Sequence, residues 1–436
     1  PFPRTESFQR DCEGKQRSKV KRIAVETLGC RLNLFESDGI LQQFLSSGRY
    51  ALSDEKPDLV IVNTCTVTDQ ADHRNRNIIQ KTIKNHPGAH VLVTGCYAQT
   101  DPEDLKSIPG VFLVAGNDQK SKLFSLYEEK ARGDSSPFSV SDPFAYGNVL
   151  PQGHTRAYLK IQDGCDRKCT YCKIPAARGR GVSRSLEDIL DHARELEEKG
   201  IPEIVLTGVN LGWYKDRGVR FGKVVAEILQ ILRQSRLRLS SIEPCDVDEE
   251  LGELSLHPRF CDFLHVPLQS GSREILKRMR RTYNPDSFRK RIETVLRINP
   301  DLFIGTDVIA GFPGETEADF EESVRVCVDL GMANVHAFPF SPRRGTLAAD
   351  YADRPDAQVV RRRMDKLKAI KESGYERYAA RFVGREREGI VEKEGTEALT
   401  DNFLRIRFED PSILKGSTHN FRIERVEAGQ VYSSPL

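Results

Sequence analysis

The sequence predicts an α/β protein in three parts. These are an N-terminal doubly wound parallel sheet, a central partial (βα)6 barrel and a small C-terminal antiparallel β-barrel. Three observations carry that expectation. From Arg22 to Gly133, apolar strand-like runs alternate with helical patterns, as a parallel sheet requires. After a stretch rich in Gly, Pro, Ser and Asn, Gly133 to Gly153, the alternation restarts and runs through six further strands. From Arg385 onward the pattern becomes short alternating runs broken by turns, the habit of a small antiparallel barrel. The implied boundaries are 20–135, a linker at 136–153, 154–377 and 378–436.

In the first part "RIAVETLG", "DLVIVN", "AHVLVTG" and "FLVA" read as strands. "NLFESDGILQQFLSSG", ending at Gly48, "QADHRNRNIIQKTIKN" and "DQKSKLFSLYEEKARG" read as helices. In the second part the strands are "RAYLKIQ", "EIVLTG", "RLRLSSIEP", "FLHVPLQSG", "DLFIGTDVIAG" and "NVHAFPF". Ser185 with Asp188, and Thr316 with Asp319, have the spacing of capping boxes. A long charged helix, Asp356 to Phe382, leads out of the barrel.

With 66 Lys+Arg against 64 Asp+Glu, the net charge of +2 means that any basic surface is local. No apolar run is long enough to span a membrane, and the polar, basic start shows no signal peptide, so we expect a cytoplasmic protein. The first residue is Pro1, not Met, which leaves room for a short lost leader. Ten cysteines in a chain of this length point to metal binding before disulfides.

Three of them, Cys165, Cys169 and Cys172, lie in "QDGCDRKCTYCKIPAARGRG", just after the first barrel strand. That is the carboxyl end, where barrel sites are built. Three thiolates from one loop can hold three corners of an iron–sulfur cube and leave the fourth iron open to a substrate. The alternative is a zinc site completed by a distant ligand. Iron and acid-labile sulfide analysis separates the two. Cys30, Cys65 and Cys96 each follow a strand of the N-terminal sheet, the edge at which open sheets bind ligands. For any one of them a buried structural cysteine is the ordinary reading. Three at equivalent positions favour a second cluster.

The CxxxCxxC loop resembles the signature of the radical S-adenosylmethionine superfamily. In that superfamily the open iron binds the methionine end of S-adenosylmethionine, whose cleavage gives a 5′-deoxyadenosyl radical. The barrel segments fit the resemblance in order. "LTGVN" offers Gly208 and Asn210, "SIEP" Ser241 and Glu243, and "VPLQSGS" Gln269. "DVIAGFPGET" offers Ile309 and Gly311, and "HAFPFSPRRGT" Phe338, with Phe340 near the same base. Tyr171 resembles the aromatic that packs on adenine. By the resemblance these residues contact S-adenosylmethionine.

With both cysteine sets in place, the chain from Arg22 to its end resembles the methylthiotransferases of that superfamily, whose C-terminal barrel is a TRAM domain. The resemblance implies two [4Fe-4S] clusters: an auxiliary one on Cys30, Cys65 and Cys96, and the radical one on Cys165, Cys169 and Cys172. One S-adenosylmethionine methylates a cluster-borne sulfur and a second supplies the radical. "TLGCRLNLFES", "NTCTVTDQAD" and "GCDRKCTYCKIPAARGRG" resemble the bacterial branch acting on C2 of N6-threonylcarbamoyladenosine at position 37 of transfer RNA. The isopentenyladenosine branch tends to continue the second cysteine motif with an arginine and a glutamate, and the ribosomal-protein aspartate branch has a glycine just after that cysteine, where this chain has Thr66. Lys173 departs from the pattern, which has an apolar residue there.

The implied partners are a tRNA anticodon loop, whose unpaired bases leave the stack easily. A sulfur donor and an electron donor such as flavodoxin or ferredoxin are implied as well, and the resemblance leans to a monomer. Basic runs at His73–His86, Lys277–Arg281, Arg343–Arg344 and Arg361–Lys368 are candidate phosphate contacts, although such runs are usually solvated helix faces. Phe403, Arg405, Arg407, Phe421 and Arg422 give the C-terminal barrel a mix suited to RNA, though half-buried strand alternation explains the phenylalanines equally well. Cys12, Cys245, Cys261 and Cys327 match nothing in the pattern; Cys245 lies near the barrel rim and Cys327 in a helix.

Overall fold

The computed structural model describes residues 20–134 and 142–436, so Cys12 and the first residues of the expected linker lie outside it. The N-terminal sheet has five parallel strands: β1 (Lys21–Thr27), β2 (Tyr50–Leu52), β3 (Leu59–Thr64), β4 (His90–Gly95) and β5 (Val111–Ala115). Their order is β2-β1-β3-β4-β5. Every residue of β3 is buried, because helices cover both faces of the sheet. The edge strand β2 was not expected from the sequence: only Tyr50 of its three residues is buried, so it carries almost no apolar pattern.

Six parallel strands build the central barrel: β6 (Ala157–Lys160), β7 (Glu203–Thr207), β8 (Arg236–Leu239), β9 (Phe263–His265), β10 (Phe303–Ala310) and β11 (Asn334–Pro339). They form two parallel three-stranded sheets, β6-β7-β8 and β9-β10-β11. Single bridges at Leu237–Phe260 and Ser241–His265 join the two sheets. The result is an open barrel. The helix Arg31–Ser46 of the N-terminal part lies against β6, and the long helix Ala357–Ala380 lies along β11. Thr316 and Asp319 form the expected capping box. At Ser185 the hydroxyl caps the Asp188 amide, but the Asp188 carboxylate bonds that hydroxyl and not the backbone, so the box is half made.

Five antiparallel and parallel pairings close the C-terminal barrel: β12 (Glu386–Lys393), β13 (Glu397–Thr400), β14 (Arg405–Arg407), β16 (Gln430–Pro435) and β15 (Thr418–Glu427), in that spatial order. It is docked on the central part by buried charge. Glu203 accepts from Arg236 at 2.8 Å, from Arg238 at 2.8 and 3.0 Å, and pairs with Arg156 at 3.0 Å. Arg236 and Arg238 also donate to the carbonyls of Leu399, Thr400 and Asp401. Among the described residues, no helix is long and apolar enough to cross a membrane.

Several residues of the basic runs are not surface cations. Arg281, Arg343 and Arg363 are buried and paired, respectively with Glu243, with Asp72, and with Glu315 and Glu317. Phe421 is core, and Phe403 packs on Phe263 with ring centroids 4.2 Å apart, facing the central barrel. Arg405, Arg407 and Arg422 remain exposed.

Burial alone would raise the Glu203 pKa, but Arg238, Arg236 and Arg156 hold it well below the ordinary value of 4.5. Replacing Glu203 by Gln removes the carboxylate from two buried guanidinium groups, Arg236 and Arg238, while Arg156 keeps Glu392. We expect a loss of roughly 3 kcal/mol at neutral pH, read from urea unfolding of wild type and variant. Because the folded pKa is depressed, that difference is complete above about pH 4.5 and is lost as pH falls through the lower value.

Candidate functional site

The loop that bears Cys165, Cys169 and Cys172 leaves β6 and is closed at its base by an antiparallel pairing of Gln162–Asp163 with Val182–Ser183. Gly164 makes the closure possible. Its φ is +71°, and a Cβ there would sit 1.9 Å from the Arg180 carbonyl oxygen. The Cys165 amide donates to the Gly179 carbonyl at 3.0 Å. Thr170 ties the loop to the barrel through the carbonyls of Met279 and Arg278. Two donors reach the sulfurs: the Arg167 amide to Cys165 at 3.4 Å and the Arg281 guanidinium to Cys169 at 3.3 Å. Glu243 anchors that guanidinium. Burial pushes the Cys172 thiol up to about 12.

The strand-end residues expected to surround a ligand lie on the same rim. Asn210 is buried, and neither its carbonyl nor its amide finds a partner. Its amide N–H on the backbone donates to Gln162 at 2.8 Å. Gly208 packs against Gln162, where a Cβ would be 3.1 Å from the Gln162 Cβ. Gln269 adopts φ +63° without being glycine and is held by Asp307 and Ile309 through backbone bonds of 2.8 and 2.9 Å. Gly311, φ +78°, donates to buried Glu315. Tyr171 meets Phe312 edge-on at 6.4 Å, and Phe312 meets Phe340 at 5.2 Å. Phe338 is 41% exposed at the end of β11, free of any packed partner ring among the described residues.

Cys30 caps the helix Arg31–Ser46 after β1, Cys65 follows β3, and Cys96 opens the short helix Cys96–Thr100 after β4. The strand order reverses between β1 and β3, so the first two flank the switch point of the sheet. Gly29, at φ +98°, lets the first loop reach the second: a Cβ there would lie 2.8 Å from the Cys65 sulfur. Burial raises Cys65 to about 12, with Cys96 and Cys30 adding to the rise, so the three thiols share one neighbourhood. Asn117 donates to the Cys96 sulfur at 3.4 Å.

Behind these thiols lies a buried charge cluster. Arg178, just after the Cys165–Cys172 loop, bonds Glu36 at 2.9 and 3.0 Å, Asp163 at 3.0 and 3.1 Å, and Asn33 at 2.8 Å. Lys120 pairs with Glu36 at 2.5 Å, and Lys160 with Glu36 at 2.8 Å and Asp163 at 2.6 Å. Burial opposes ionisation of Glu36, yet Arg178, Lys120 and Lys160 hold its carboxyl well below the ordinary range. Lys173 fits here too: it pairs with Asp101 at 2.6 Å and straps the radical loop to the N-terminal part.

A cavity of about 670 Å³ runs from the N-terminal thiols into the barrel. Cys30, Cys65 and Cys96 line one end, and Thr207, Gly208, Ser241, His265 and Asp307 line the barrel interior. Inside it the Ser241 hydroxyl and His265 Nδ1 are 2.8 Å apart, and His265 Nε2 lies 3.1 Å from Asp307.

Comparisons with known proteins agree with this layout. The profile of the "Radical SAM superfamily" matches residues 159–327, and that of "Uncharacterized protein family UPF0004" matches residues 22–116. The threonylcarbamoyladenosine tRNA methylthiotransferase MtaB of Bacillus subtilis is 34% identical over 94% of this chain and 95% of its own. A tRNA-2-methylthio-N(6)-dimethylallyladenosine synthase of Bartonella bacilliformis is 32% identical over 86% of this chain and 87% of its own. The chain belongs to the radical SAM methylthiotransferase family. Among solved structures, the radical S-adenosylmethionine methyltransferase TsrM of Kitasatospora setae matches with a TM-score of 0.56 at 15% identity. The match covers 73% of this chain and 72% of that one and supports the fold.

Family membership brings S-adenosylmethionine and a [4Fe-4S] cluster, and the residues present fit both. Three thiols with N–H donors on two sulfurs suit a cluster. The unpartnered Asn210 amide on the rim suits a polar ligand such as S-adenosylmethionine. The sequence did not expose Glu36, Lys120, Lys160, Asp163, Arg178 or His265 as site residues. One signal was available: Lys160 ends a barrel strand as a buried charge on the face that Tyr158 turns inward.

Gly164→Ala must move the Arg180 carbonyl. We expect a destabilisation above about 1 kcal/mol in urea unfolding and a lower iron content after anaerobic reconstitution. An unchanged iron content would show that the loop closure does not position the thiols.

Proposed function

We propose that this protein transfers a methylthio group to C2 of N6-threonylcarbamoyladenosine at position 37 of tRNA. The observation that carries the reading is the single cavity running from Cys30, Cys65 and Cys96 into the mouth of a radical SAM barrel. In this reading Cys165, Cys169 and Cys172 hold the radical cluster, and Cys30, Cys65 and Cys96 hold an auxiliary [4Fe-4S] cluster. When bound, the clusters and two molecules of S-adenosylmethionine supply the radical that removes hydrogen and the methylthio group that replaces it.

The chain's own residues do the rest. Gly208, Asn210, Ser241, Glu243, Gln269, Ile309, Gly311, Phe338 and Tyr171 surround S-adenosylmethionine. Arg281 and the Arg167 amide donate to the loop sulfurs. Exposed Arg74, Lys81 and Lys84 on the helix Asp69–Asn85, with Arg405, Arg407 and Arg422 on the C-terminal barrel, supply phosphate contacts for the anticodon stem. A low-potential electron donor such as flavodoxin or ferredoxin and a sulfur donor complete the turnover. We place the enzyme in the cytoplasm as a monomer. The Bartonella relative favours one other substrate, isopentenyladenosine, which an anticodon stem-loop bearing that base tests.

The test is anaerobic reconstitution of wild type and of the Cys30→Ala, Cys65→Ala, Cys96→Ala triple variant. About eight irons per chain should fall to about four. The variant should still cleave S-adenosylmethionine but form no methylthio product on anticodon stem-loops bearing threonylcarbamoyladenosine. Wild type holding only four irons, with none lost in the variant, would overturn the two-cluster reading.

A further inference from the structure

We propose that Arg31 is the specificity-determining residue that receives the carboxylate of the threonylcarbamoyl group. This rests on the functional reading above and deepens it. Arg31 is the first residue of the helix Arg31–Ser46, next to Cys30, and lines the cavity. Of the charged side chains lining that cavity, the others are engaged. Arg178 is saturated by Glu36, Asp163 and Asn33, and Asp307 is held by His265. Among the described residues Arg31 has no carboxylate within ion-pair distance, and its one hydrogen bond is a long contact of 3.5 Å to the Leu239 carbonyl. An arginine cannot shed its charge. A guanidinium lining a cavity with its fork unused is therefore built for an anion that arrives with the ligand.

The geometry of the base says which anion. C2 and N6 of adenine flank N1 on one edge of the ring. A base whose C2 faces the N-terminal thiols therefore presents its N6 substituent to the wall beside them, where Arg31 follows Cys30. Threonylcarbamoyl carries a free carboxylate and a hydroxyl; isopentenyl carries neither. His336, bonded to Asn334, lines the same cavity and offers a second polar contact for the hydroxyl. The walls near Tyr158, Phe263 and Phe403 are apolar and suit the purine itself. An unpaired cation in the cavity would also discriminate against a neutral substituent, which leaves it desolvated and unsatisfied.

The experiment uses the full chain and two anticodon stem-loops. One bears threonylcarbamoyladenosine at position 37, and the other has its threonine carboxylate converted to the primary amide. Binding is read as Kd by fluorescence anisotropy and turnover as kcat/KM after anaerobic reconstitution. Wild type should prefer the acid by about tenfold or more in both readings, the size of a charge-assisted contact. Arg31→Gln should bring the ratio close to one, and Arg31→Lys should keep part of it. A wild-type ratio near one overturns the proposal, and so does a ratio that Arg31→Gln leaves unchanged. Loss of iron or sulfide in Arg31→Gln, with acid and amide falling equally, also overturns it and assigns Arg31 to the thiol site. If Arg31→Gln does not fold, the wild-type ratio and Arg31→Lys still decide. Wild type active only on an isopentenyladenosine loop rejects the functional reading, and the Arg31 role with it; wild type active on both acid and amide alike rejects Arg31 alone.

Discussion

The salt-bridged cluster of Glu36, Asp163, Arg178, Lys120 and Lys160 is the constraint on which the site depends. Its members come from three places: Glu36 and Lys120 from the N-terminal part, Lys160 and Asp163 from the first barrel strand and its extension, and Arg178 from the end of the radical loop. All are buried, with side chains at most 7% exposed. Taking five charges out of water is expensive unless the geometry closes fully, so the cluster tolerates only one arrangement of the three segments. Asn33 extends that arrangement to the thiols. It accepts from Arg178 and donates to the carbonyls of Leu28 and Thr64, the backbone just before two cysteine loops. Three cations against two carboxylates leave one positive charge in excess. That excess lies beside Cys30 and Cys65, whose thiol pKa values burial raises. The Arg178 guanidinium opposes that rise at both Cys30 and Cys65.

A second buried cluster, centred on Glu203, performs the matching task at the opposite end of the barrel strands. There the guanidinium groups of Arg236 and Arg238 reach past Glu203 to backbone carbonyls of the C-terminal barrel. Arg238 also lies over the rings of Phe263 and Phe403 at 5.4 and 5.3 Å. The three parts of the chain are thus joined at both ends of the central cavity by charge that cannot be exposed without loss. The cavity between them is left with mixed walls, aromatic near the C-terminal barrel and polar near Ser241, His265 and Asp307.

The sequence carried the fold class well because each strand and helix has a strong local period, and the family motifs lie where strands end. The cysteine spacing was readable for the same reason: three residues lie in one loop, and three follow β1, β3 and β4. What was not legible depends on tertiary encounter. Arg178 reads as one arginine in "RGRG", and nothing local says that it meets Glu36 from more than a hundred positions away. Gly29 and Gly164 are ordinary glycines until the approaching chain, Cys65 in one case and Arg180 in the other, is known. The basic runs misled in the opposite sense. Composition cannot tell a solvated arginine from Arg281, Arg343 or Arg363, whose carboxylate partners come from distant elements. The three-residue strand β2 failed for want of pattern, since its place is set by β1 beside it.

Strand β10 shows how the two halves of the site are kept in register. Asp307 and Ile309 are two residues apart, so both face the barrel interior. Asp307 holds His265 in the cavity, while Ile309 lies at the rim beside Gly311. Gln269 is pinned between them: its amide donates to the Asp307 carbonyl and its carbonyl accepts from Ile309. Its left-handed backbone costs roughly 1–3 kcal/mol for a residue that is not glycine. Both bonds are needed to hold that conformation, and both belong to the same strand. Any shift of Asp307 within the cavity must therefore displace Gln269 and Ile309 at the rim. The cavity residue Asp307 and the rim residues Gln269 and Ile309 are thus tied to one another through a single strand.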